Sequence, residues 1–448
     1  MGSRRENMSH IKYYFKLLGL LSILLAFSCR NDSSEIVPVQ SLPANISPTS
    51  VTQQSQGDVT FTPDAKRAIS TDFGEIQFDC LKIENDSTQL VNGEGVLALV
   101  EIKDLDRIEQ NLFLWDLGSG EQKTISTPSA FLYSVSPDGN FLAFDKAIFE
   151  GDHVESPLVV IIDSKGNPVV TIDEQIGGYG FEWLDEENLL INSPIGNNPL
   201  ILFSPFTHKQ KIIEPFPTES IRLFDSELIY SWGFYAYHKI VYNKDLTRAL
   251  YAFSGDGGPS VAIHNMTINK DMAIFPTNEA FGVSPKWSPN GDIIAIGLNT
   301  NTSGRADTIN YGVDKYEVFV ISRDGEKLFN TNLTSLSESI YISTLSWSPD
   351  SRRIAFWYTT NSKNINENLE LAVLDLNTKV VKSYCITKNA EGHPWKRNDV
   401  SPIWSPSGNY LLIETNDSGQ NPRTIIIDMV RGEAVFVKSG VMPVGWMK

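Results

Sequence analysis

Cysteine is nearly missing: the 448 residues include only Cys29, Cys80 and Cys385. Three are too few for a disulfide scaffold or a cysteine-rich metal site. Cys80 and Cys385 would pair if the fold brought the chain ends together, but buried free thiols are the expected state. Histidine is scarce too. His10, His153, His208, His238, His264 and His393 show no HExxH or other metal-ligand spacing. The expectation is therefore no metal and no cofactor. No Gly-x-Ser-x-Gly elbow occurs, and Gly255-Asp256-Gly257-Gly258 lacks the lysine and helix of a phosphate loop. No catalytic residue is assigned. Bases are outnumbered, 37 against 54 acids, for a net charge of −17. A surface so acidic repels phosphate backbones and argues against nucleic acid as a partner.

Long apolar runs are absent as well. The stretch Leu17–Phe27 would extend about 16 Å as a helix, too short to cross a bilayer. Lys12 and Lys16 precede it and Ser28-Cys29 end it, which are the proportions of an export signal over 1–28. Ala26-Phe27-Ser28-Cys29 resembles the lipobox of bacterial lipoproteins. The resemblance implies cleavage before Cys29 and lipid attachment to its thiol, each acyl chain adding about 0.8 kcal/mol per buried methylene. An ordinary secretory signal with an incidental cysteine is the alternative. Ser, Pro, Gln and Thr dominate the residues that follow, so 29–58 reads as a flexible tether to a folded domain over 59–448.

What the chain has in abundance is one turn. Trp287-Ser288-Pro289-Asn290-Gly291, Trp347-Ser348-Pro349-Asp350 and Trp404-Ser405-Pro406-Ser407-Gly408 each precede an alternating apolar run. Proline presets φ at the second turn position, and the glycine tolerates a left-handed backbone. Each therefore reads as strand, tight turn, strand. Weaker copies begin at Val135, Trp183 and Val241, and Val91-Asn92-Gly93 leads into Val96-Leu97-Ala98. Seven anchors result, near 91, 135, 183, 241, 287, 347 and 404. Every unit has a second half ending in a turn, such as Leu114-Trp115-Asp116 or Val373-Leu374-Asp375. Four strands in roughly 40–60 residues is the unit of a β-propeller.

The expected fold is thus all-β, a propeller of four-stranded blades. Seven blades are expected, with eight as the alternative if Phe61–Ile69 and Val444-Gly445-Trp446 build one more from both termini. Residues 219–236 compete with 258–276 to supply strands to the fourth blade. The motifs resemble the WD40-like repeats of TolB-type propellers over about 90–440. That resemblance bears on fold and says little about activity.

The recurring tryptophans read as core between blades. Strand order places the repeated turns on one face and the variable connections on the other, where binding surfaces usually sit. Two variable connections concentrate aromatics and bases: Trp232, Phe234, Tyr235 and Tyr237 in one, His393, Trp395, Lys396 and Arg397 in the other. They are the candidate binding residues. The reading is a lipid-anchored protein of the bacterial cell envelope, periplasmic or on the outer surface, whose propeller binds or scaffolds an envelope protein. The alternative is a carbohydrate-active or other hydrolase or lyase with a site at the central channel. Replacing the anchor, Cys29→Ser, is expected to shift the protein from the membrane pellet to the soluble fraction; unchanged partitioning would refute acylation.

Overall fold

The computed structural model describes residues 67–71, 74–84, 94–104, 109–128, 132–150, 153–172, 180–192, 200–213, 241–255, 258–276, 285–300, 315–337, 339–360, 368–389, 401–416 and 422–448. All described residues belong to one compact unit, 61–448. Three short strands come first: β1 (Arg67–Thr71), β2 (Gly74–Phe78) and β3 (Ile83–Glu84). Blade 1 contains β4 (Val96–Asp104), β5 (Glu109–Asp116) and β6 (Gln122–Pro128). Blade 2 is β7 (Tyr133–Val135), β8 (Phe141–Glu150), β9 (His153–Asp163) and β10 (Pro168–Ile172). Blade 3 is β11 (Gly180–Trp183), β12 (Leu189–Asn192), β13 (Leu200–Ser204) and β14 (Lys209–Ile213). Blade 4 is β15 (Val241–Tyr242), β16 (Arg248–Gly255), β17 (Gly258–Asn265) and β18 (Lys270–Pro276). Blade 5 is β19 (Lys286–Trp287), β20 (Ile293–Asn299), β21 (Tyr316–Ser322) and β22 (Lys327–Asn330). Blade 6 is β23 (Tyr341–Trp347), β24 (Arg353–Thr359), β25 (Asn368–Asp375) and β26 (Val380–Asn389). Blade 7 is β27 (Ile403–Trp404), β28 (Tyr410–Asn416), β29 (Pro422–Asp428) and β30 (Glu433–Ser439). Finally β31 (Val441–Met447) pairs antiparallel with β4 and becomes the innermost strand of blade 1.

The core is not one mass but seven apolar clusters, one at each blade boundary. Ala295, Val318, Ile342, Trp347 and Phe356 fill the boundary of blades 5 and 6. Leu97, Leu99, Leu412, Ile426 and Trp446 fill that of blades 7 and 1, which completes the ring. Strand alternation explains this: each blade has two apolar faces, and each face needs a neighbour.

The repeated turn also has a consistent chemistry. The serine is buried, and its Oγ accepts the amide five residues on, at 3.0 Å for Ser136–Phe141 and 2.9 Å for Ser348–Arg353. The same hydroxyl donates to the side chain two residues ahead: Ser136 to Asp138 and Ser288 to Asn290, both at 2.6 Å. Asn243 Oδ1 replaces the serine in blade 4, accepting the Arg248 amide at 2.8 Å. Gly291 sits at φ +79°, and Ser351 holds the corresponding place in blade 6 at φ +59°. Asp350 is partly desolvated, which alone would raise its pKa. Its bonds to Ser348 and the Arg352 amide, with Arg353 and Arg352 nearby, outweigh this and hold it below the ordinary value.

The tryptophans bridge blades as expected. Each indole N–H donates to a carbonyl on the first strand of the preceding blade: Trp183 to Ser134 (3.1 Å), Trp287 to Val241 (2.9 Å), Trp347 to Lys286 (3.0 Å) and Trp404 to Ser346 (3.2 Å). The residue that starts the second strand of the preceding blade covers the ring. Phe141 stacks on Trp183, the Arg353 guanidinium lies 4.8 Å from the Trp404 ring, and Tyr410 stacks on Trp446.

The expected seven blades are present, and among the described residues no sheet forms an eighth. The described part of Phe61–Ile69, Arg67–Ile69, pairs with β2 and not with the C-terminal strand. The chain over 67–84 instead runs along the outside, β2 adding in parallel to β26 and β3 in parallel to β30. Cys80 and Cys385 are not free thiols; they form a disulfide with a Cα–Cα distance of 4.7 Å, because the added strands carry Cys80 to the edge of blade 6. Blade 4 is built from 241–276, so 258–276 is not an insertion. The first blade also differs in phase: its tryptophan is Trp446, paired with Leu97 as Trp347 is with Ile354. Trp404→Ala is expected to cost about 3–5 kcal/mol, the usual range for removing a packed aromatic. Trp404→Phe, which keeps the ring but loses the donor, is expected to lie in between; thermal melting of both variants checks the order.

Candidate functional site

The two rims of the ring differ in construction. On one, every connection, whether strand one to two or three to four, occupies four or five residues. On the other, the connections run from the single residue 440 to the stretch 214–240. The short connections are fixed by the serine network and by aspartates that cap their own turns. Asp163 takes the amides of Lys165 and Asn167, and Asp428 those of Val430 and Arg431. The long connections lack this common length and sequence.

Trp232, Phe234, Tyr235 and Tyr237 belong to 214–240, between β14 and β15; His393, Trp395, Lys396 and Arg397 belong to 390–402, between β26 and β27. These eight residues lie outside the described residues, as does Cys29. The described strand ends do place both connections on the same rim, one joining blades 3 and 4, the other blades 6 and 7. In a ring of seven those boundaries stand nearly opposite each other across the axis.

The described strands contribute polar groups near this rim that alternation alone does not reveal. Glu317 is 1% exposed and accepts three bonds at 2.7 Å, from Thr331 Oγ1 and from the Leu333 and Thr334 amides. It thereby fixes the connection after β22. Asp145 accepts the Leu132 amide at 2.6 Å and fixes the start of blade 2 in the same way. In blade 6, Tyr358 Oη donates to Glu370 Oε2 at 3.0 Å and reaches Ser383 Oγ at 3.2 Å. Burial, with the Glu370 carboxylate beside it, drives the Tyr358 phenol far above its usual pKa. At the base of 390–402, Lys388 and Glu414 are both buried and form an ion pair across blades 6 and 7 at 4.0 Å. Glu317 and Glu370 each interrupt an apolar strand, as Tyr316-Glu317-Val318 and Leu369-Glu370-Leu371, while Asp145 and Glu414 end apolar runs. That interruption is the sequence signal a search for motifs passes over.

Among the described residues no group of histidine, cysteine, aspartate and glutamate is arranged to hold a metal ion. The polar groups above are committed to backbone and to one another, so what they supply is a rigid base under the variable connections.

No family model and no curated protein sequence matches this chain. Solved structures resemble it in fold. TolB from Acinetobacter baumannii aligns at 14% identity over 78% of this chain and 67% of that one, with a TM-score of 0.38. The periplasmic gluconolactonase PpgL of Pseudomonas aeruginosa aligns at 13% identity over 79% and 98%, with a TM-score of 0.45. An oligogalacturonate lyase in complex with manganese aligns at 12% identity over 76% and 84%, with a TM-score of 0.44. At these identities and TM-scores the likeness says nothing of what this chain does.

Lys388→Met is expected to destabilise the ring by about 3–5 kcal/mol, because it strands the Glu414 carboxylate in the boundary. Adding Glu414→Met should restore most of the loss; equal melting temperatures for the single variant and the parent would show the pair to be inconsequential.

Proposed function

We propose that this chain is an exported, lipid-anchored protein of the bacterial cell envelope whose propeller binds a protein partner through the rim of long connections. The observation that carries the binding reading is the asymmetry of the rims: uniform short turns on one, connections of freely varying length on the other. A ring held rigid at seven boundaries keeps the strand ends fixed while the connections between them diverge, which is how binding surfaces are built on scaffolds. Tyr235 and Trp395, with Trp232, Phe234, Tyr237, His393, Lys396 and Arg397, are assigned to the contact. The tryptophans, tyrosines and arginine among them are residue types that dominate binding energy where partners meet.

Export is argued from Lys12, Lys16, the run Leu17–Phe27 and Cys29. The Cys80–Cys385 disulfide favours it, since disulfides persist in oxidising compartments. A lipid on Cys29 would leave 30–66 as the span between membrane and first strand, with a root-mean-square reach of roughly 35 Å if that span behaves as a flexible coil.

The test is cross-linking in intact cells followed by affinity capture of the full chain. Trp395→Ala with Tyr235→Ala should lose a protein that the parent recovers, whereas Val430→Ala, on the rim of short turns and 75% exposed, should keep it. Undiminished recovery by the double variant would overturn the assignment. Turnover of an oligosaccharide by the purified chain would favour an enzyme of the central channel instead.

A further inference from the structure

The outer edges of the seven blades are treated unequally. Blades 6 and 7 have theirs covered by β2 and β3, whereas the outer strands of blades 1 to 5 pair on one side only among the described residues. Four of those five edges carry features that discourage another strand. β10, β18 and β22 each suffer a shift of register against their neighbour. β6 ends in Pro128, and its Lys123 Nζ already donates to the Lys165 and Gly166 carbonyls of blade 2. β14 differs. It keeps register with β13 over all five of its pairs and contains no proline.

By alternation Lys209 and Lys211 share one face of β14 with Ile213, which is buried in the core, while Gln210 and Ile212 lie on the other; all but Ile213 are exposed, Ile212 at 60%. Lysines on an edge usually repel strand pairing. Here the chain supplies its own counterexample, since β26 also carries a lysine and is nonetheless covered. Lys382 Nζ binds Asp79 Oδ2 of the covering segment at 3.1 Å, while on the opposite face Ile76 of β2 pairs with Val381 and is 1% exposed. Lysine on one face and an aliphatic residue on the other therefore select an acidic, apolar strand rather than excluding all strands. β14 repeats that arrangement, with Lys209 and Lys211 where the covered stretch of β26 has Lys382.

We propose that β14 is a docking edge for an extended segment of a partner protein in which acidic and apolar residues alternate. The segment would add as a fifth strand of blade 3. Its main chain would bond the outer edge of β14, unpaired among the described residues, its acids would lie beside Lys209 and Lys211, and its apolar side chains would cover Ile212. The net charge of −17 makes the choice specific, because an acidic segment is repelled elsewhere and gains only where lysines cluster. This site lies on the outside of the ring and does not depend on the rim of long connections.

The probe is a fluorescein-labelled hexapeptide alternating glutamate with valine, and its lysine–valine counterpart, titrated into the full chain and read by anisotropy. The glutamate peptide is expected to bind and the lysine peptide not. Lys209→Glu with Lys211→Glu should weaken binding by roughly tenfold or more, and Ile212→Asp should weaken it comparably. Hydrogen exchange on the parent protein gives a reading that no variant's folding can spoil: the amides of Lys209–Ile213 should slow when the glutamate peptide is present. Equal binding of both peptides, binding unaffected by the double substitution, or unchanged exchange in β14 would each overturn the proposal. Association of the chain with itself through the same lysines would overturn it too, by making the occupant a second copy.

Discussion

One contact sets the geometry of this ring: an indole N–H reaching back to a main-chain carbonyl of the previous blade. A four-stranded sheet with two apolar faces cannot stand alone, and packing by area alone would let neighbours slide. The tryptophan prevents this because it is both filler and donor. Its ring buries on the order of 150–250 Å² between sheets, while its nitrogen reaches a single acceptor, Ser134, Val241, Lys286 or Ser346. Above it, Phe141, Arg353 or Tyr410 closes the layer. The turn network has a second task beside this one. By tying the start of strand two to the turn, it holds the covering residue in place over the next blade's ring.

Closure is made in two places. β31 joins the last-made strand of the domain to β4, and Trp446 donates its indole to the Glu94 carbonyl across that seam at 3.1 Å. Gly445 is required there, since a Cβ would collide with the Val135 side chain of blade 2. The second closure is external: the segment 74–84 spans the boundary of blades 6 and 7, with the disulfide fastening it to β26. Parallel pairing at an edge is slightly weaker per residue than antiparallel pairing, and the covalent link compensates for that.

Much of this was legible in the residues. The three Trp-Ser-Pro turns and their weaker copies marked seven repeats, because a run of apolar residues follows each anchor. The lone strand around Trp446 was visible too, although its destination was not. A strand contributed from a distance has no local pattern that names its partner. The same reason hid the external strands: Gly74–Phe78 is short, and pairing with residues some three hundred positions away leaves no periodic trace. The disulfide followed those strands out of sight. Buried charges such as Glu317 and Lys388 are written plainly in the sequence, but whether an isolated charge in an apolar run is a core partner or a strand end depends on tertiary neighbours. The candidate binding residues were chosen by type and by position on a rim. The topology supplies the rim, while the residues themselves lie beyond the described strands.

The joining of β31 to β4 has a consequence for how the molecule comes into being. Six blades can assemble as their strands emerge, but the first remains a three-stranded sheet with an open inner edge until Val441–Met447 have been made. Cys80 likewise waits for Cys385, 305 positions later. A chain that folds in the order it is synthesised therefore passes through an unclosed ring, its earliest sheet exposed the longest, and closes only when Val441–Met447 pair with β4.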